Sequence, residues 1–192
     1  TTFAFYDDAL LFAADKGLMT VLEHIADASY EVNLHAPNAL HCRYLGPEVA
    51  ELMVAAGFKS FYLGFESSSE DFQDKTGGKV APGDLARAVE NLTAAGADRK
   101  RIIAYHILGH PAGDLQEIDE SMRLCARLGI RVMLSDFSPI PGTPDGEACR
   151  RWLDLDEPLY QNKTAFAILK MGVEKVDRIK RLARELNNNT CG

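Results

Sequence analysis

The feature that most constrains this chain is a repeat. Apolar, strand-like runs alternate with amphipathic helical patterns at intervals of roughly 30 to 40 residues. Residues 3–6, 31–35, 61–65, 101–108 and 131–137 read as strands. Between them, 18–28, 47–56, 84–95 and 115–128 read as helices. Leu18, Val21, Leu22 and Ile25 share one face of the first, Pro47 opens the second, and Gly57, Gly96 and Gly129 stand just past helix ends. Parallel neighbours need a crossover, normally a helix, so the alternation predicts an α/β protein with a parallel sheet. A doubly wound open sheet and part of a (β/α) TIM-like barrel both satisfy it. In either, ligands bind at the carboxyl ends of the strands.

The pattern changes after residue 138. Pro139-Ile140-Pro141-Gly142-Thr143-Pro144 reads as a rigid turn segment, and 152–158 as irregular. Residues 162–186 read as one long amphipathic helix, with Ile168, Leu169, Val176, Ile179, Leu182 and Leu186 on its apolar side. The expected organisation is a barrel-like unit over 1–150 and a C-terminal segment over 151–192. Thr1 leads directly into the first strand, so the expectation is a piece of a longer protein.

Composition excludes several functions. With 21 basic and 28 acidic residues the chain carries a formal charge of -7, the wrong sign for a general nucleic-acid or anionic-membrane binder. At 46% hydrophobic and 26% charged residues it can bury a core, and no apolar run approaches the ~18 residues of a membrane span. No secretory leader pattern opens the sequence. Cys42, Cys125, Cys149 and Cys191 stand 83, 24 and 42 residues apart, so no pair has CxxC or CxxxC spacing. Isolated thiols of this kind predict a cytoplasmic protein with no metal site of its own.

The residues just after each strand are the functional candidates. Asp7 and Asp8 read either as caps of the next helix or as an acidic edge for an ammonium or hydroxyl. Ser67 with Glu70, and Ser68 with Asp71, have capping-box spacing, which leaves Glu66 as a carboxylate at a strand mouth in need of a partner or ligand. His106 and His110 are four apart, as in helical zinc pairs, but on a strand and its loop the rings need not converge, and no third ligand is evident. His35 and His41 flank a Pro-Asn turn where one of them can meet a ligand. Gly109 and Gly113 permit close backbone approach, and Asp114 with Glu117 starts the next helix.

In order along the chain, six segments resemble the radical S-adenosylmethionine (radical SAM) enzymes, in particular the branch that often carries an upstream cobalamin-binding domain. They are Phe5-Tyr6-Asp7-Asp8-Ala9, Pro37-Asn38-Ala39-Leu40-His41, Ala56-Gly57-Phe58-Lys59, Leu63-Gly64-Phe65-Glu66-Ser67, Leu108-Gly109-His110-Pro111-Ala112-Gly113-Asp114 and the Pro139–Pro144 turn. The resemblance implies a partial (β/α) barrel with five of the family's six βα units, followed by the long C-terminal helix. It implies S-adenosylmethionine and a [4Fe-4S] cluster as cofactors of the parent protein, and opens cobalamin as a third.

By position, the resemblance gives Asp7 and Asp8 to the methionine amino group, and Glu66 and Ser67 to the ribose and methionine. It gives Leu108 and Gly109 to a wall near adenine, and Ile140, Pro141 and Gly142 to backbone near adenine. His35, Asn38, His41 and His106 are left for the substrate. The family holds its cluster through CxxxCxxC after the first strand, and this chain has no such spacing. The expectation is therefore a scaffold that binds no cluster alone, with a bare edge near Phe3 and Tyr6 that leads either to self-association or to disorder near Thr1. Two other readings stay open at this point. One is a complete small α/β enzyme holding a divalent metal on Asp7, Asp8 and Glu66. The other is a non-catalytic module whose C-terminal helix leaves Ile168, Val176, Ile179 and Leu186 exposed for docking.

Overall fold

The computed structural model describes residues 1–66 and 80–191. Its five strands are β1 (Thr2–Ala4), β2 (Asn33–His41), β3 (Phe58–Glu66), β4 (Ile102–Leu108) and β5 (Arg131–Asp136). The described helices are α1 (Leu18–Asp27), α2 (Pro47–Ala55), α3 (Pro82–Ala94), α4 (Leu115–Arg127), α5 (Pro144–Ala148), α6 (Lys163–Met171) and α7 (Val173–Cys191). The sheet order is β1-β2-β3-β4-β5 and every pairing is parallel.

That order decides between the two architectures. A doubly wound sheet reverses direction at a switch point, whereas here each crossover steps to the next position on the same side. Crossovers of one hand taken in one direction put their helices on one face. The sheet is thus a partial barrel wall. Ile102, Ala104, His106 and Leu108 of β4 are buried on the helix side, while Tyr105 and Ile107 alternate onto the other face.

Four differences from the sequence reading exceed one or two residues or change an element. The first strand is shorter and wholly exposed, because β1 is an edge paired only with β2, and Phe3 remains 55% exposed. Phe5 reaches inward instead, stacking on Phe58 at 5.8 Å. Strand β2 does not stop at His35 but runs through Pro37 to His41. An irregularity in register between Ala36 and Leu40 accommodates the proline, which cannot donate to a regular ladder. Strand β3 begins three residues early, at Phe58. Finally, the long helix breaks at Gly172, whose φ of +87° suits glycine, giving α6 and α7.

Helix α7 packs on α4 and β5, burying Val176 and Ile179 in the main core beside Met122 and Ile130. The docking reading, which needs Val176, Ile179 and Leu186 exposed, is therefore overturned for those three, while Ile168 of α6 stays exposed. The same helix covers the free edge of β5. The Asn187 side chain accepts from the Val132 N–H at 2.8 Å and donates to the Val132 carbonyl at 2.9 Å, taking the place of a sixth strand. A smaller cluster joins Cys149, Leu153 and Leu155 to Phe166 of α6. Among the described residues no helix is long and apolar enough to cross a membrane.

Three thiols are built into these cores. Burial pushes Cys42 and Cys125 up to about 12 and Cys149 up to about 11. The native state then keeps protons that the unfolded chain releases above its ordinary value near 9, so stability is full below pH 9 and falls as pH rises towards 12. Each of Cys42 and Cys125 should cost about 1 kcal/mol by pH 10. Chemical denaturation at pH 7, 9 and 10 is expected to show this fall. A Cys42→Ala/Cys125→Ala variant, less stable at pH 7, should fall less steeply, and an unchanged slope would refute the assignment.

Candidate functional site

The carboxyl ends of all five strands lie on one rim, and Asp8 is its junction. Its Oδ1 accepts from Asn38 Nδ2 at 2.7 Å, tying the loop after β1 to the irregular stretch of β2. Asp8 and Ala39 line three adjoining cavities of about 320, 640 and 210 Å³. The first also has His41, Gly64 and Phe65 in its wall. The largest is a groove over the open sheet face, floored by Tyr105, Ile107 and Met133 and walled by Ser135, Asp136 and the start of α6, Lys163 and Thr164. The smallest runs under Phe12 and Tyr44. Gly64 keeps the floor low: a Cβ there would lie 3.2 Å from that of Ala39.

Several sequence candidates meet here and others do not. Asp7 is engaged in its own turn, its Oδ1 accepting from the Ala9 N–H at 2.7 Å. Asn38 and His41 stand on the rim, with the His41 ring 4.9 Å from Tyr44. His35 does not. With β2 extended to His41, it lies about 13 Å towards the amino end of the strand, since its register partner Ser60 stands four residues before Gly64, the partner of His41, and it meets Ser60 Oγ at 3.0 Å. His106 is fully buried on the helix side, its Nε2 3.5 Å from Cys125 Sγ and its ring edge-on to Phe65. Glu66 ends β3 opposite His106 in register. The Glu66 side chain and Ser67, with the serine capping boxes, fall outside the described residues.

Leu108 and Gly109 pack away from the groove. Leu108 is fully buried, and a Cβ on Gly109, whose φ is +94°, would sit 3.0 Å from Ala167 Cβ of α6. Strand alternation gives the groove face to Ile107 instead. Ile140, Pro141 and Gly142 form a self-supporting turn. The Ile140 carbonyl accepts from Thr143 Oγ1 at 2.8 Å, and the Gly142 N–H donates to Glu147 at 3.0 Å. Two residues escaped the sequence reading. Asp136 closes β5 with Oδ2 paired to Lys180 at 2.8 Å, while Oδ1 is buried with no donor among the described residues. It was legible as a strand-end acid once the strand stops one residue earlier. Gly146 lies against the Ile140 carbonyl, 1.9 Å from where a Cβ would go, a contact no local pattern announces.

The chemistry of this rim suits a ligand with amino and hydroxyl donors on an apolar body. Asp8 is an acceptor, and Gly64 with Ile107 gives a surface that a flat group can approach. It does not suit an iron–sulfur cluster. Cys42, Cys125 and Cys149 are buried on separate elements, and no three His, Cys, Asp or Glu side chains group for a metal among the described residues. The divalent-metal reading finds no support there either, since Asp7 and Asp8 are turned to different partners.

A sequence model of the Radical SAM superfamily matches residues 5–144. Among solved structures, the chain resembles the radical S-adenosylmethionine methyltransferase TsrM from Kitasatospora setae with cobalamin and a [4Fe-4S] cluster bound. The TM-score is 0.61 at 16% identity, covering 77% of this chain and 31% of that one. TsrM with tryptophan substrate and a SAM analogue gives 0.59 at 16% identity, over 72% and 28%. Coproporphyrinogen III oxidase (HemN) from Escherichia coli, a radical SAM enzyme, gives 0.54 at 17% identity, over 88% and 37%. The chain thus spans about a third of the length of these proteins. No curated protein sequence matches it.

The buttress under the Pro139–Pro144 turn yields a direct test. Gly146→Ala should force the Ile140 carbonyl aside and cost about 2 kcal/mol, read as a lower unfolding midpoint in denaturant. Glu147→Ala, which removes the exposed bond to Gly142 and an exposed ion pair with Arg150, should cost well under half of that. Equal effects would mean that the Gly146 contact does not hold the turn.

Proposed function

The chain belongs to the radical SAM superfamily, and on that premise we propose that it supplies the strand wall along which a radical SAM enzyme holds S-adenosylmethionine. The observation that carries this reading is the rim itself. An acid at the meeting point of three cavities, on the carboxyl edge of a sequentially ordered parallel sheet, is a fitting receptor for a sulfonium ligand with an ammonium group. Asp8, steadied by Asn38, accepts from the amino group. Gly64 and Ile107 give the apolar approach. Glu66 and Ser67 for the ribose, and backbone of Ile140, Pro141 and Gly142 for adenine, complete the assignment.

When bound at a reduced [4Fe-4S] cluster, S-adenosylmethionine supplies a 5′-deoxyadenosyl radical. The three described thiols do not fit that cluster, so its ligands are assigned elsewhere in the parent protein. The likeness to TsrM is one of fold, but it accords with the cobalamin-associated branch suggested by sequence, and cobalamin is proposed as a cofactor of the parent. No residue of this chain is assigned to it. A reducing cytoplasm is the compartment such a cluster and such isolated thiols require.

The tests separate these claims. In the anaerobically reconstituted parent protein, Asp8→Asn should weaken S-adenosylmethionine binding by roughly tenfold to a hundredfold, the range for losing a charge-assisted bond. Unchanged calorimetric affinity would remove Asp8 from the site. The 192-residue chain alone, given iron and sulfide, should develop no [4Fe-4S] absorption, and a stoichiometric cluster would overturn the placement of its ligands elsewhere. We also propose that this chain self-associates through β1, whose free edge and exposed Phe3 and Tyr6 contrast with the covered edge of β5. Sedimentation should show concentration-dependent association that Phe3→Lys abolishes, and a monomer at every concentration would refute it.

A further inference from the structure

Helix α6 forms one wall of the large groove, through Lys163 and Thr164 at its first turn. Both groove residues are exposed, and Asn162 caps the Thr164 N–H at 2.9 Å; the helix start is held from behind by Gln161, which accepts from Ser138 Oγ and donates to the Leu155 carbonyl, and by the buried Phe166. A second hold lies two turns on. Lys170, half-buried, points its ammonium into the loop that follows β4 and donates to three carbonyl oxygens there. These are His110, Pro111 at 3.3 Å and Gly113 at 2.7 Å. One turn back on the same face, Ala167 fills the space that a side chain on Gly109 would need. Phe166 packs edge-on to Trp152 at 5.7 Å, and the Lys170 ammonium lies 5.7 Å from the centre of that indole.

Three carbonyls converging on one cation are not the product of a turn left to itself. Carbonyl dipoles so arranged repel one another, and an ammonium with three donors on one atom satisfies them together. Burial, with Arg151 nearby, holds the Lys170 pKa below its ordinary value. A charge is thus kept in a place that disfavours it, and the carbonyls offset that cost. The loop it grips is rigid in other ways. The Gly113 N–H donates to the His110 carbonyl at 3.1 Å, and the Ala112 N–H to His110 Nδ1 at 3.2 Å. The clamp therefore joins a helix to an already ordered extension of β4.

We propose that Lys170 is a positioning residue: its ammonium locks α6 to the loop after β4 and so sets where Lys163 and Thr164 wall the groove, making ligand affinity depend on a side chain that does not line it. This rests on the reading of the groove as the S-adenosylmethionine wall. It adds a control from outside residues 5–144, the part matched by the family. Small displacements of a binding wall are enough to matter, since first-contact groups act only when held by supporting ones.

Trp152, the one tryptophan of these 192 residues, sits against both Phe166 and Lys170, and its emission in the full-length protein is read by difference from a Trp152→Phe variant. In the full-length, anaerobically reconstituted protein, Lys170→Met should change Trp152 emission and speed amide exchange at Ala112 and Gly113. It should also weaken S-adenosylmethionine binding roughly tenfold, with one cooperative unfolding transition retained. Lys170→Arg keeps the charge but cannot place three donors on one point. It should give intermediate values, and it serves for the same comparison if Lys170→Met does not fold. Wild-type exchange and emission in both variants would overturn the clamp. Altered exchange with wild-type affinity would overturn the positioning role. Absence of binding to the unaltered protein would instead overturn the functional reading and this proposal's link to the ligand, while the exchange rates would still decide the clamp.

Discussion

A parallel strand is reached from its neighbour only by a crossover, and in this chain each crossover moves one place along the sheet in the same direction. Helices then accumulate on one face, and the strands bury their apolar side against them. The opposite face is left with Tyr105, Ile107 and Met133 around a groove rather than under a second helical layer. The same geometry sends every strand's carboxyl end to one rim. Loops far apart in sequence, after β1, β2, β4 and β5, thereby become neighbours in space. The Asp8–Asn38 bond is the visible consequence: thirty residues of chain separate two side chains that meet at 2.7 Å.

An open sheet of this kind has two edges, each a row of backbone groups in need of partners. They are treated differently. At β5, an amide side chain from α7 imitates the missing strand, and Lys180 from the same helix neutralises Asp136 at the strand end. At β1 no such cover exists among the described residues, and three consecutive strand residues stay exposed. A surface that protects one border with a dedicated helix and leaves the other bare is suited to growth on the bare side only. The acidic rim lies beside that side, through Asp7 and Asp8.

What could be read from sequence followed from periodicity. Alternating patterns located all five strands and the helices around 18–28, 47–56, 84–95 and 115–128, because burial on one face writes a repeat into the residues themselves. What could not be read depended on neighbours. The extension of β2 past Pro37 is made possible by an irregular register with β3, a property of two strands and not of one. Once that strand is longer, His35 and His41 part company, the first to the amino end and the second to the rim. At β4 a single step of alternation separates the buried Leu108 from Ile107 on the groove face. Burial of His106 against Cys125 likewise needs the placement of α4, which no local pattern supplies.

The C-terminal segment shows why a family match and a folding unit need not share a boundary. The match ends at residue 144, yet Ala167, Val176 and Ile179 belong to the same continuous core as Ala104, Leu108 and Met122. Removing α6 and α7 would uncover that core, expose the β5 edge and leave Gly109 facing water. The glycine is informative here. A residue that must lack a side chain because Ala167 lies against it ties a motif of the barrel to a helix beyond it, so the two must vary together. Structure on the helix side of the sheet therefore constrains the rim on the other, and the apolar layer that stabilises the wall also fixes the distances across the groove.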